Sequence, residues 1–247
     1  LSAGTFMKGL LLVGDTISKI CSKKDKSTYP LFGDAGTATA LEFHPSFPSM
    51  FFNWGVDGSS ANAIIIPDGG FRNQFSGKSL ETSEFEGGIH RAPKDLILEG
   101  MDVFSFGITK APQSVNALLE YYKIENESVD HFVFHQANLF MNEKIRKKLK
   151  IPPEKVPYSL REFGNTSSAT IPLTMVTKLR KETFSKVKNI LACGFGVGLS
   201  WGSVFFTDDR LVCSDLVEIC ARIFVPEEKI PDSVILSVSR FLVASLK

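Results

Sequence analysis

The sequence has no long apolar run and few cysteines. No stretch of its 247 residues approaches the roughly 18 consecutive apolar residues that a membrane-spanning helix needs. We therefore predict no membrane span. The four cysteines form no Cys-x-x-Cys pair, and no basic-then-apolar signal peptide opens the chain. This pattern favours reduced thiols and a cytoplasmic location.

The chain also lacks an excess of one charge and the common phosphate-binding motifs. It has 28 Lys+Arg against 27 Asp+Glu, for a formal net charge of +1. That balance argues against a nucleic-acid partner bound through overall charge, although it leaves room for a local basic patch. No Gly-Lys-Ser/Thr loop is present, and the glycines at 194–202 do not have the spacing of a dinucleotide fingerprint.

The order of the predicted elements indicates an α/β protein. An apolar run at 9–14 predicts a strand buried on both faces, and small residues after a Gly-rich turn at 32–36 predict a second strand. Beyond residue 100, predicted strands and helices alternate, as in right-handed βαβ units. The predicted helices lie at 100–122, broken or adjusted near Pro112, at 139–150 and at 169–181. The predicted strands lie at 132–134, 189–193 and 202–207.

Two further segments differ from this pattern. Residues 44–99 are rich in proline and glycine, which predicts loops and short strands. Residues 221–247 carry spaced apolar side chains and predict a short amphipathic helix that we leave unassigned. We therefore divide the chain at 1–43, 44–99, 100–220 and 221–247.

Two polar motifs lie where α/β enzymes place their active sites. His135 and Asn138 belong to a His-Gln-Ala-Asn motif directly after a predicted buried strand. Asn165 belongs to a Gly-Asn-Thr-Ser motif directly before a predicted helix. Each motif has an alternative interpretation, because His135 fits a hydrogen-bonded structural residue and Asn165 fits a helix cap.

The third motif is the glycine-rich turn that follows Cys193. Alternating glycines at 194, 196 and 198 could expose backbone N–H groups to a ligand, or could simply form a tight hairpin. Cys193 ends an apolar strand, which favours a buried, unreactive thiol.

In this order, the three motifs resemble those of the type III β-ketoacyl-acyl-carrier-protein synthases of the thiolase superfamily. The turn at 32–36 and the segment at 100–104 also look like parts of that family, so the resemblance runs from residue 1 to about 218. It implies a thiolase-like α/β fold. The chain would hold the complete C-terminal half, at 100–220, and the last strands of the N-terminal half, at 1–43.

The resemblance implies a Cys-His-Asn active site whose nucleophilic cysteine begins a buried helix. Residues 1–6 look like the end of that helix, so we expect a chain that lacks the nucleophile and is inactive alone. Cys21 is the alternative, because the lysines around it could lower its pKa.

The family's reaction is a decarboxylative Claisen condensation of an acyl-CoA primer with malonyl-acyl-carrier protein, which starts fatty acid synthesis. By resemblance, His135 and Asn165 would donate hydrogen bonds to the enolate oxygen, with His135 neutral and protonated on the nitrogen that faces the substrate. The remaining assignments are the Val197 backbone N–H as oxyanion hole, Phe104 and Phe195 as acyl-pocket residues, and Asn138 as a pantetheine contact. No metal or other cofactor is implied.

The implied partners are acyl-carrier protein, acyl-CoA and a second copy in a homodimer. Lys144, Lys147 and Lys148 share one helical face and would dock the acidic carrier protein, with an ordinary solvated face as the alternative. Two other functions stay open. One is an inactive thiolase-fold fragment or pseudoenzyme that acts in dimerisation or acyl binding, and the other is a related synthase with a different acyl acceptor.

Overall fold

The computed structural model of the chain describes residues 5–180, 188–208, 212–217 and 242–246. Twelve strands occur in these ranges: β1 Lys8–Asp15, β2 Ala35–Glu42, β3 Phe51–Val56, β4 Ile64–Ile65, β5 Ser83–Phe85, β6 Ile89–Arg91, β7 Ile97–Leu98, β8 His131–Phe134, β9 Lys188–Gly196, β10 Ser200–Asp208, β11 Val212–Cys213 and β12 Leu242–Leu246. The α-helices described are α1 Gly100–Tyr122, α2 Leu139–Lys148, α3 Leu160–Phe163 and α4 Thr170–Thr174.

One four-stranded sheet, in the order β3-β10-β9-β8, forms the centre of the main core. Strand β8 runs parallel to β9, while β10 is antiparallel to both β9 and β3. Phe132 and Phe134 face a cluster formed with α1 and α2, whereas Val133 faces a second cluster with the helical turn Met175–Leu179. Helices therefore cover both faces of this sheet, as α/β architecture requires.

The second four-stranded sheet has the order β1-β2-β12-β11. The strand predicted at 9–14 is confirmed, but its predicted burial on both faces is wrong. Leu10, Leu11 and Leu12 are 63%, 52% and 67% exposed. The reason is that β1 is an edge strand paired with β2, and no described element covers these side chains.

The predicted helices differ from the observed ones at their boundaries. Helix α1 continues through Pro112, because its buried face of Ala111, Val115 and Leu118 packs into the core and offsets the missing hydrogen bond. The helix predicted at 169–181 begins as a 3-10 turn, Ser167–Ala169, continues as α4, and ends in the π-helical turn Met175–Leu179. Residue 181 lies outside the described residues.

The amphipathic helix predicted in the tail is wrong for the part of the tail that the structure describes. Residues 242–246 form β12, which pairs with β2 and β11. A sheet edge with unpaired backbone groups can recruit such a strand, and this partner is not visible in a local sequence pattern. Within the described ranges, no helix is long and apolar enough to cross a membrane.

Candidate active site

A cavity of about 840 Å³ lies beside the end of β8 and the β9–β10 turn. The six predicted catalytic and substrate-binding residues all line it: Phe104, His135, Asn138, Asn165, Phe195 and Val197. These residues come from four separate segments of the chain, and the fold brings them together at the edge of the sheet.

His135 is held in place by its backbone and by its ring. The backbone N–H of His135 donates to the Cys193 carbonyl at 2.8 Å, and its backbone carbonyl accepts from the side-chain amide of Asn142 at 3.0 Å. The ring nitrogen Nδ1 lies 2.7 Å from the Thr170 hydroxyl oxygen. Burial lowers the pKa of His135 to about 4, so the imidazole is neutral near pH 7. Within the described structure, the other ring nitrogen, Nε2, has no hydrogen-bond partner.

Gln136 is a supporting residue that sequence reasoning missed. Its side chain is fully buried, donates to the Phe134 carbonyl at 2.7 Å and accepts from the Ser159 N–H at 3.1 Å. It therefore ties the end of β8 to the loop before α3. Its position between two chemically active motif residues was the available signal, because a buried amide must find partners.

Asn165 is positioned by an unexpected segment. Its backbone N–H donates to the Leu31 carbonyl at 2.9 Å, and its carbonyl accepts from the Gly33 N–H at 3.0 Å. Its side-chain Oδ1 accepts from the Ser167 N–H at 2.9 Å. The capping interpretation is wrong, because Thr166 is the N-cap of the turn Ser167–Ala169 and Ala169 is the N-cap of α4. The Asn165 Oδ1 closes a local turn one residue before that cap, while Nδ2 keeps its hydrogens for another acceptor.

Two glycines permit this close pairing. A Cβ on Gly33 would lie 2.1 Å from the Phe163 carbonyl oxygen, and one on Gly164 would lie 2.9 Å from the Leu31 carbonyl oxygen. Gly164 also has a φ of +64°, in the region that favours glycine. The turn at 32–36, predicted only as a lead into a strand, therefore holds Asn165 against the cavity.

The glycine-rich motif forms the hairpin between β9 and β10. Val197 is at the tip of the turn and 65% exposed, and its carbonyl accepts from the Ser200 hydroxyl at 2.7 Å. Phe195 is buried, and its ring meets the edge of the His135 ring at a centroid distance of 5.3 Å. The hairpin interpretation is confirmed, and the same turn also borders the cavity.

Asn138 and Phe104 line the cavity from the start of α2 and from α1. Asn138 is the N-cap of α2, and its Oδ1 accepts from the Met141 N–H at 2.8 Å. Phe104 stacks on Phe140 with a centroid distance of 5.4 Å. Asn138 therefore has a structural role that the sequence analysis did not assign, and its Nδ2 is the group left for a ligand.

Two models of one protein family match this chain. The model described as 3-oxoacyl-[acyl-carrier-protein] synthase III matches residues 1–58, and the model of its C-terminal part matches residues 119–207. Together they cover more than half of the chain and include the His135, Asn165 and glycine-turn motifs. The chain belongs to the β-ketoacyl-[acyl-carrier-protein] synthase III family.

Curated synthases III and solved structures agree with this assignment. The synthase III of Lactococcus lactis is 31% identical over 207 residues, which cover 82% of this chain and 60% of the relative. The synthase III 2 of Halalkalibacterium halodurans is 35% identical over 201 residues, covering 81% and 57%. The chain thus spans only part of the length of these relatives.

The fold assignment rests on structures of the same family. A crystal structure of a 3-oxoacyl-(acyl-carrier-protein) synthase III superposes with a TM-score of 0.79 at 36% identity, covering 83% of this chain and 62% of that one. The synthase from Burkholderia xenovorans superposes with a TM-score of 0.75 at 39% identity, covering 83% and 57%. The thiolase-like α/β fold is therefore confirmed.

No described cysteine lines the cavity of this synthase III family member. Cys193 is fully buried, and burial raises the pKa of its thiol to about 12. For Cys21, the idea that lysines lower the pKa is wrong. Burial raises the pKa of the Cys21 thiol most, the Thr28 hydroxyl lowers it in part, and the carboxylates of Asp25, Asp34 and Asp95 raise it further. Cys213 is also buried, and Cys220 lies outside the described residues.

The three lysines predicted to dock a carrier protein have different surroundings on α2. Lys147 is exposed. Lys144 lies over the Phe140 ring, with its Nζ 5.3 Å from the ring centroid. Lys148 donates to the Ile108 carbonyl at 3.0 Å. Lys148 therefore ties α2 to α1, which leaves Lys144 and Lys147 as the better candidates for contacts with a partner.

Proposed function

We propose that this protein acts in the decarboxylative condensation of an acyl-CoA primer with malonyl-acyl-carrier protein, the reaction that starts fatty acid synthesis. One observation carries the proposal: His135 and Asn165 line the same cavity, each with a side-chain nitrogen that has no partner in the described structure. The neutral imidazole and the oriented amide are suited to stabilise one developing oxygen anion.

The chemistry follows from where charge appears. When malonyl thioester loses CO₂, the bond between the carboxylate carbon and the methylene carbon breaks, and its electron pair moves onto the thioester oxygen as an enolate. Two donors aimed at that oxygen lower the barrier, each by roughly 10² to 10³ in rate. The enolate carbon then attacks the acyl thioester, a carbon–carbon bond forms, and a thiolate leaves.

The other cavity residues receive roles consistent with this reaction. The Val197 N–H at the exposed tip of the turn would hold the oxygen of the acyl thioester. Phe104 and Phe195 would form the apolar wall for the acyl chain, and the Asn138 amide would contact the pantetheine arm. No metal or other cofactor is required for any of these steps.

The proposal is tested by measuring CO₂ release from labelled malonyl thioester, without an acyl primer. His135→Ala and Asn165→Ala should each lower the rate by about 10². His44→Ala and Asn73→Ala replace the same residue types outside the cavity and should leave it unchanged. If Asn165→Ala costs only about 1 kcal/mol of stability and keeps the rate, Asn165 only stabilises its local turn and the catalytic assignment fails.

We extend the proposal to docking of acyl-carrier protein by Lys144 and Lys147, because an acidic partner suits two positive charges on α2, the helix that begins next to the cavity residue Asn138. Charge reversal of both residues to Glu should raise KM for malonyl-acyl-carrier protein, and the defect should shrink as salt increases. Turnover of malonyl-CoA should change little. Lys78→Glu is the control, and an equal loss with both substrates contradicts docking.

The sequence also left open a second candidate, a non-condensing protein that binds acyl groups or dimerises. The two candidates are separated by offering acyl-CoA together with malonyl thioester. A condensing enzyme makes the β-ketoacyl product. A non-condensing protein releases CO₂ without that product, or only binds the acyl chain. A related synthase would form a product with another acyl acceptor.

We also propose that the protein is a cytoplasmic homodimer. The exposed leucines of β1 support an interface, because monomers rarely leave such apolar patches uncovered. The buried free thiols of Cys21, Cys193 and Cys213 support a reducing location. Light scattering of the purified protein tests the dimer, and a monomer at all concentrations contradicts it.

A further inference from the structure

The Thr170 side chain contacts the Nδ1 nitrogen of the His135 ring. Its hydroxyl oxygen lies 2.7 Å from His135 Nδ1 and 3.0 Å from the Ser167 carbonyl oxygen. Thr170 is only 1% exposed, so bulk water does not compete for this hydroxyl. It opens helix α4, and its position is set by the packing of that helix.

The hydroxyl has one hydrogen, and its direction decides the state of the imidazole. If the hydrogen points to Ser167, then Nδ1 must carry the ring proton and donate it to Thr170. Nε2 would then be a bare acceptor. If the hydrogen points to Nδ1, the ring proton lies on Nε2, which becomes a donor.

The contacts favour the second arrangement. The Ser167 carbonyl already accepts the backbone N–H of Thr170, so it keeps a partner when the hydroxyl turns away. Nδ1 has no other partner in the described part of the chain, and its distance to the hydroxyl is the shorter of the two.

We propose that Thr170 is a positioning residue whose hydroxyl donates to His135 Nδ1 and so holds the ring proton on Nε2, facing the cavity. This inference rests on the proposed function, because only an Nε2–H can donate to the enolate oxygen. The hydrogen bond at Nδ1 also draws electron density from the ring and makes the Nε2–H a stronger donor.

The direct test is nitrogen NMR of the chain with labelled imidazoles near pH 7, where His135→Gln identifies the His135 signals among the four histidines. We expect a protonated Nε2 and an unprotonated, hydrogen-bonded Nδ1. A protonated Nδ1 in the unaltered chain overturns the proposal. This spectrum requires no variant to fold and no activity.

Variants then test the consequence for the rate. Thr170→Val keeps the shape but removes the hydroxyl, and should lower kcat for malonyl decarboxylation by about tenfold, the size expected for one lost hydrogen bond, with KM nearly constant. It should also move the Nδ1 signal towards that of a nitrogen without a hydrogen bond. Thr170→Ser restores the hydroxyl and should restore both the rate and the signal.

Thr177→Val is the matched control, because its hydroxyl donates only to the Leu173 carbonyl, at 2.8 Å. It should change neither the rate nor the spectrum. Unaltered kcat and Nδ1 signal in Thr170→Val overturn the positioning role. If instead His135→Ala itself keeps the full decarboxylation rate, the proposed function fails, while the NMR result still decides the proton position.

Discussion

Gly33→Ala should disable the site without touching a catalytic group. The added Cβ would lie 2.1 Å from the Phe163 carbonyl oxygen, 0.9 Å inside the 3.0 Å below which real Cβ contacts essentially never occur. This carbonyl oxygen belongs to the backbone, so the segment carrying Asn165 must move by at least about that distance. Misplacement of a catalytic group by about 1 Å can cost about 10²-fold in rate, and we expect a loss of that size in CO₂ release from malonyl thioester.

The same substitution should lower the free energy of unfolding by about 1 to 3 kcal/mol, as overpacking does. Gly36→Ala is the control, because nothing lies within 4 Å of a Cβ at that position of the same segment. Urea unfolding and the CO₂ assay are measured on both variants. If Gly33→Ala decarboxylates at the original rate, or Gly36→Ala loses as much, the 32–36 segment does not position Asn165.

Two further predictions concern His135 and the cysteines. Because burial lowers the pKa of His135 to about 4, the unfolded chain takes up a proton between pH 6.5 and 4 that the folded chain does not, so acidification should favour unfolding. Between pH 7.5 and 4.5, the free energy of unfolding measured with urea should fall by about 2 kcal/mol less in His135→Gln than in the unaltered chain. An equal fall in both proteins would contradict the lowered pKa of His135. Cys193, whose buried thiol has its pKa raised to about 12, should resist iodoacetamide in the folded protein and react after unfolding, as measured by mass spectrometry. Rapid labelling of folded Cys193 would contradict its burial.

Local patterns were sufficient where one element decides its own structure. The apolar run at 132–134 predicted a buried strand, and β8 is fully buried. Alternating glycines predicted the β9–β10 hairpin. The three polar motifs, in their order along the chain, also resembled those of the family to which the chain belongs.

Sequence patterns predicted the wrong burial or secondary structure where pairing with a distant segment of the chain determines it. The leucines of β1 are as apolar as those of a buried strand, and only the sheet order shows that they lie on an edge. Residues 242–246 fit a helix or a strand equally well by their spacing, and pairing with β2 makes them a strand.

The sequence by itself determined which groups are available for chemistry: a histidine, an asparagine and a glycine-rich turn, each at the end of an element. Only the tertiary structure decided what those groups can do. Burial makes His135 neutral, the Leu31 to Gly33 backbone orients Asn165, and Thr170 engages Nδ1. Proton positions and donor directions depend on contacts between residues distant in the chain, and these contacts exist only once the chain has folded.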